Sequence, residues 1–168
     1  YDVVRRDRCH NGRHGGGVNI FIKNNLNFRI RENLSKVNLE FLAIEVCKPH
    51  SRPFLVATWY RPPNSPLSTF SAFQDVIDMI DAENLEFYLL GDINCDLLAE
   101  SPDNGTKELL NISTIYNLSQ IISQNTRITN TSKTLIDLCF TNYPDKVRLS
   151  GTHSLGISDH SHISNSQI

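Results

Sequence analysis

Apolar residues recur along this chain in two rhythms, one of period two and one of period three to four. Val18-Asn19-Ile20-Phe21-Ile22 alternates closely enough to predict a strand, entered by a sharp turn that Gly15-Gly16-Gly17 permits. Leu39 to Val46 predicts a second strand, with either Phe41 and Ala43 or Leu42, Ile44 and Val46 facing inward. Pro49 to Pro53 makes a turn, and Phe54 to Tyr60, nearly all apolar, predicts a third strand in an antiparallel hairpin with the second. Beyond Pro62-Pro63-Asn64-Ser65-Pro66 the period lengthens. Phe70, Phe73, Val76, Ile77 and Ile80 mark an amphipathic helix that Ser68 or Thr69 could cap. Leu85 to Leu90 then reads as a buried strand running into Gly91. Residues 99–105 are loop-like, 106–116 predict a second helix, and 118–122, 135–140 and 147–149 predict short strands. Residues 161–168 are polar and unlike a closing strand. Early hairpins followed by strand–helix–strand units predict an α+β sandwich, with helices packed on mixed or antiparallel sheets. No repeat and no long linker divides the chain, so 1–168 is expected to form one domain.

Composition narrows the picture. A length of 168 residues allows a substantial core, and 39% hydrophobic with 20% charged residues is ordinary for a globular protein. A formal net charge of −2 argues against a general polyanion binder. The dense basic group Arg5, Arg6, Arg8 and Arg13 reads as a solvated loop. Four cysteines (Cys9, Cys47, Cys95, Cys139) contain no CxxC pair, which excludes a disulfide framework. Cys47 and Cys139 sit in apolar runs as small core residues. Cys9-His10 with His14 hints at metal ligands, but no second pair follows at a zinc spacing. No apolar stretch reaches membrane-spanning length, so a soluble, intracellular protein is expected.

Two strings carry the chemistry. Gly91-Asp92-Ile93-Asn94 follows the buried strand, and strand alternation would point Asp92 and Asn94 the same way. Ser158-Asp159-His160 sets a carboxylate beside an imidazole. Gathered at one end of a sheet, these groups could activate water and hold a divalent metal against a phosphate. Asp137 lies inside an apolar strand, where a carboxylate needs a partner such as an oriented His. The plainer readings are turn chemistry for Asp92 and Asn94 and a core aromatic with a wet hydroxyl for Tyr60.

The ordered set Gly-Gly-Gly-Val, Trp59-Tyr60-Arg61-Pro62-Pro63, Gly91-Asp92-Ile93-Asn94, Leu135-Ile136-Asp137 and Ile157-Ser158-Asp159-His160 resembles the endonuclease/exonuclease/phosphatase (DNase I-like) superfamily. The flanking wording is most similar to the endonuclease domain of LINE-type non-LTR retrotransposons. The resemblance implies a four-layered α/β sandwich and metal-dependent phosphodiester hydrolysis, with magnesium or manganese as cofactor. Its implied partners are chromosomal DNA, nicked in the nucleus to free a 3′-hydroxyl that primes reverse transcription, and the reverse transcriptase domain of the same polyprotein. No membrane and no small-molecule cofactor is implied. His160 would then act as general base or electrostatic partner, and Asp137 would orient it. Asp92 would align or deprotonate water, and Asn94 would hold water or a phosphate oxygen. Tyr60 would donate to the developing phosphate charge, Asp159 would face the metal, and Arg61, Asn94 and Ser158 would bind substrate.

The pattern also departs from the family. Its first-strand Asn and its principal metal-ligand Glu would precede Tyr1, and neither is present; Glu40 and Glu45 do not match that motif. The polar 161–168 stretch replaces the family's last strand. The chain therefore reads as a fragment truncated at both ends. The alternatives to DNA nicking are a catalytically inactive remnant that binds nucleic acid, and a phosphatase acting on lipid or inositol phosphates.

Overall fold

The computed structural model describes residues 1–10, 13–154 and 156–167, with the backbone alone at 9, 10, 13–15 and 167. The Cys9, His10 and His14 side chains, and hence the metal-ligand reading of them, lie outside the described residues.

The centre is a six-stranded sheet of β3 (Asn27–Ile30), β4 (Glu40–Cys47), β5 (Phe54–Tyr60), β6 (Glu86–Asp92), β10 (Asp137–Thr141) and β7 (Ser119–Gln120), in that order. All neighbours are antiparallel except β5 and β6, which run parallel because α1 (Ser68–Ala82) carries the chain back between them. Both candidate faces of β4 prove to be inward. Phe41 and Ala43 join a core with the helices, while Leu42, Ile44 and Val46 pack with Val4, Val18 and Ile22 of a second layer. That second layer is a hairpin of β1 (Asp2–His10) and β2 (Arg13–Ile22). A further hairpin, β11 (Val147–His153) with β12 (His162–Gln167), reaches the same face of the sheet through Asn165, whose Nδ2 lies 3.2 Å from Cys139 Sγ.

Phe70, Phe73, Val76, Ile77 and Ile80 are the buried stripe of α1, as the period predicts. Trp59 stacks on Phe73 with centroids 4.1 Å apart and meets Phe70 edge-on at 6.0 Å. The second helix, α2 (Asn104–Ile115), begins at Asp103, whose Oδ1 accepts from Thr106 N at 2.6 Å. Cys95 and Cys139 are buried, which pushes both thiols up to about 11 and leaves them inert core residues.

Four expectations need correction. Residues 2–10 are strand rather than solvated loop: the apolar Val4 and the stems of Arg6 and Arg8 face the sheet, where their polar ends find acceptors. The three glycines lie within β2 rather than in a turn before it, and Gly16 (φ +79°) and Gly17 (φ +123°) break the ladder there. The helix α1 starts at Leu67 with no side-chain cap from Ser68 or Thr69. Finally, 162–167 form β12: pairing with β11 supplies the backbone hydrogen bonds that its polar side chains do not advertise.

Gly91 shows how tightly β5 and β6 meet. A Cβ there would lie 1.9 Å from the Trp59 carbonyl oxygen. Gly91→Ala should therefore destabilise the chain by about 1–3 kcal/mol, as overpacking does. Urea unfolding followed by fluorescence of Trp59, the sole tryptophan, measures this; an unchanged midpoint would contradict the close approach.

Candidate active site

Cross-strand register assembles the site. Glu40 is paired with Tyr60, and Asp92 with Asp137. Since Thr58 pairs with Leu90 in the parallel ladder, Tyr60 falls beside Asp92 two residues on. Glu40, Tyr60, Asp92 and Asp137 thus form a row across four strands, on the face opposite the helices. In Trp59-Tyr60-Arg61 the alternation is plain: Trp59 enters the core, Tyr60 joins the row, and Arg61 turns back inward.

His160 comes to this row from the far end of the chain. Its Nδ1 lies 2.9 and 3.1 Å from the two Asp137 oxygens. Thr126, completely buried, makes that possible. Its Oγ1 accepts from Ile136 N and Asp137 N at 3.1 and 2.9 Å, and its carbonyl accepts from Ser161 N at 2.6 Å. A backbone bridge between Arg127 and His160, with Ile128 N donating to the Asp159 carbonyl at 2.8 Å, completes the seam. Arg127 belongs to β8 (Arg127–Ile128), paired with β9 (Lys133–Thr134). The sequence reading missed Thr126; a Thr in a polar loop gives no periodic signal, and only its burial betrays the role.

Asp92, Asp137 and His160 bring one ligand atom each to within 4.8 Å of one another. Burial, then the neighbouring Asp137 charge, pushes the Asp92 carboxyl up, against the opposing pull of His160 and of hydrogen bonds from Asn94. The chain leaves the strand at Asp92, and Asn94 N donates to Asp92 Oδ1 at 3.2 Å in a turn with Asn94 at φ +51°. Strand alternation therefore does not govern Asn94. Its Nδ2 donates to the Arg61 carbonyl at 2.9 Å, so turn and site share the same residues.

Three expected residues stand elsewhere. Arg61 is 4% exposed and donates to the carbonyls of Ile93, Asn94 and Ser65 at 3.1–3.4 Å, with its guanidinium over Phe70. It braces the loops around Asp92 from beneath, and in this position is not open to substrate. Asp159 is exposed and salt-bridged to Arg127 Nε at 2.8 Å, which draws its carboxyl down; it is not in the cluster with Asp92. Ser158 is exposed, and its Oγ accepts from His160 N at 3.1 Å, shaping the turn that carries the imidazole.

A family model described as endonuclease-reverse transcriptase matches residues 54–164, about two thirds of the chain. Among solved structures, the chain is similar to the endonuclease domain of TRAS1, a telomere-specific non-LTR retrotransposon, with TM-score 0.78 and 13% identity over 99% of this chain and 79% of that one. An endonuclease/exonuclease/phosphatase family protein from Leptotrichia buccalis gives TM-score 0.63 and 13% identity over 99% and 72%. The 3′-5′ exonuclease NExo from Neisseria meningitidis gives 0.58 and 12% over 85% and 70%. These likenesses show the DNase I-like fold. No curated protein matches the chain.

The folded state makes Asp92 harder to ionise than the unfolded chain does, so its contribution to stability is greatest when protonated and falls as pH rises through its folded pKa. Asp92→Asn removes that penalty and keeps an acceptor for Asn94 N. It should melt higher than the parent at neutral pH, with the gap closing on acidification towards pH ~4, the ordinary carboxylate range. A lower melting point at neutral pH would contradict the assigned strain.

Proposed function

The chain belongs to the endonuclease-reverse transcriptase family, and on that footing we propose that it hydrolyses phosphodiester bonds of DNA with a divalent metal. The observation that carries this reading is the Asp92–Asp137–His160 cluster at the strand ends, with Tyr60 beside it. The two carboxylates suit a hard cation such as magnesium or manganese, and Asp92, crowded by Asp137, is the group a cation would relieve. When bound, the ion offsets charge on the phosphate and polarises it.

The remaining chemistry is done by the side chains. Asp137 accepts from His160 Nδ1–H and holds the ring, so that Nε2 faces the reaction. Asp92, whose carboxyl burial and then the Asp137 charge push up from its ordinary value, takes the proton of the attacking water. The water oxygen bonds to phosphorus as the P–O3′ bond breaks. The departing 3′-oxygen takes a proton from bulk water and leaves as a hydroxyl, the phosphate stays on the 5′ side, and Asp92 returns its proton to solvent. Tyr60 donates to the charge that develops on the phosphate. The family description, which joins endonuclease to reverse transcriptase, supports DNA as substrate and the freed 3′-hydroxyl as a primer for a polymerase of the same polyprotein. On chromosomal DNA the act would be nuclear.

The pairing of Asp159 with Arg127 favours a second reading, a nucleic-acid-binding remnant without catalysis, because it withdraws a carboxylate from the metal side. Relaxation of supercoiled plasmid decides between them. The chain with magnesium should nick, EDTA should stop it, and His160→Ala or Asp92→Ala should each lose about 10²–10⁴-fold, the usual worth of a positioned acid or base. Equal nicking by parent and His160→Ala would overturn the site; a folded chain that binds DNA without nicking it would establish the remnant.

A further inference from the structure

The hairpin β1–β2 carries a group that the proposed reaction leaves unused. The alternation of β1 turns Val4, Arg6 and Arg8 towards the central sheet, and Val4 packs there with Leu42 and Ile44. Arg6 is spent on backbone, donating to the carbonyls of Lys36 and Phe41 at 2.6 and 3.3 Å. Arg8 is not. Its Nε donates to Glu40 Oε1 at 2.6 Å, and its guanidinium lies 5.0 Å from the centre of the Tyr60 ring.

The local sequence is arranged for this placement. The β1–β2 ladder pairs Asp7 with Gly17 and Cys9 with His14, so Arg8 stands at a break in the register. A Cβ on Gly16 would come within 3.2 Å of the Arg8 guanidinium, and one on Gly17 within 2.3 Å of the Arg6 carbonyl oxygen. Glycine at both positions leaves room for the side chain and the backbone. Glu40 is the cross-strand partner of Tyr60, so the acceptor that steers Arg8 and the ring it covers stand side by side. Among the described residues the other Glu40 oxygen is buried without a hydrogen-bond partner, and Arg8 is the charge that pairs with the carboxylate. Arg8, Glu40 and Tyr60 line one cleft of about 740 Å³ that opens next to the catalytic row.

We propose that Arg8, steered by Glu40, is a positioning residue for Tyr60, its guanidinium over the phenol ring holding the hydroxyl where it meets the substrate phosphate. The catalytic part of this proposal rests on the nuclease reading above. A stacked cation restricts the ring to one rotamer, which an aromatic at the open end of a strand otherwise lacks. A 1 Å error in such a donor is enough to cost on the order of 10²-fold in rate.

The test uses the whole chain labelled with 3-fluorotyrosine, the Tyr60 fluorine resonance being identified by its loss in Tyr60→Phe. Arg8→Gln strands a buried Glu40 carboxylate and could unfold the hairpin, so the double variant Arg8→Gln/Glu40→Gln is measured beside it. In a folded double variant the Tyr60 resonance should move, and Arg8→Lys, which keeps charge but loses the planar face, should move it part of the way. In plasmid nicking with magnesium the double variant should lose about tenfold to a hundredfold in kcat at an unchanged KM. An unmoved Tyr60 resonance overturns the proposal. So does a raised KM at constant kcat, which would make Arg8 a plain contact to DNA. A parent chain that nicks nothing while its Tyr60 resonance still answers to Arg8 overturns the nuclease reading instead, and leaves Arg8 as the residue that holds the ring.

Discussion

Asp92 and Asp137 face each other across neighbouring strands, a register that sets two like charges side by side on a partly buried surface. Sheet pairing enforces this contact, since five consecutive residue pairs join β6 and β10 and slipping by one would turn every apolar side chain of β10 to the wrong face. The surroundings answer the repulsion. His160 bonds to one carboxylate and Asn94 N donates to the other, which offsets part of the repulsion between them. The site is thus a place where folding energy is spent to keep charged groups poised, as is common where local rules and global fold disagree.

The underside of the site is equally constrained. Arg61 is buried, makes no salt bridge among the described residues, and leans on main-chain oxygens from two loops and the Phe70 ring, with the Asp103 charge nearby. Carbonyls can hold a guanidinium because its two Nη atoms present four donors in a fixed plane, though Nε here is left without an acceptor among the described residues. In return the loops after β5 and β6 share one anchor, and Tyr60 and Asp92, which precede them, are fixed relative to each other. Gly91 closes the gap between the same two strands.

Much of this was legible in the residues. Runs of alternating and helical period placed the central strands and both helices, because each element buries a face and the burial leaves its period behind. The pairing of His160 with Asp137 was implied by the family resemblance, and it agrees with the need of a strand-borne carboxylate for a partner. What failed were features whose stabilisation lies in partners distant in sequence. Polar β12 is a strand because β11 pairs with it, and Arg6 with Arg8 are strand residues because acceptors on 36–41 meet them. The resemblance put Arg61 among the substrate-binding residues; its depth, which no local pattern reveals, turns it to bracing instead. Thr126 carries no pattern at all.

That Thr126 seam has a dynamic corollary. His160 is separated from Asp137 by 23 residues of chain, and it is tied to the sheet chiefly through Thr126, the Arg127 bridge and the Asp159 carbonyl. The intervening segment runs through the buried rest of β10 and along β11 before it reaches His160 over an exposed turn at 156–159. The central sheet, by contrast, is locked by two apolar layers. Amide exchange in such a molecule is graded, fastest where few buried contacts oppose opening. The exposed 156–159 turn that brings in the imidazole lies nearer that fast end than buried Thr126 or Trp59, which are sealed away from water.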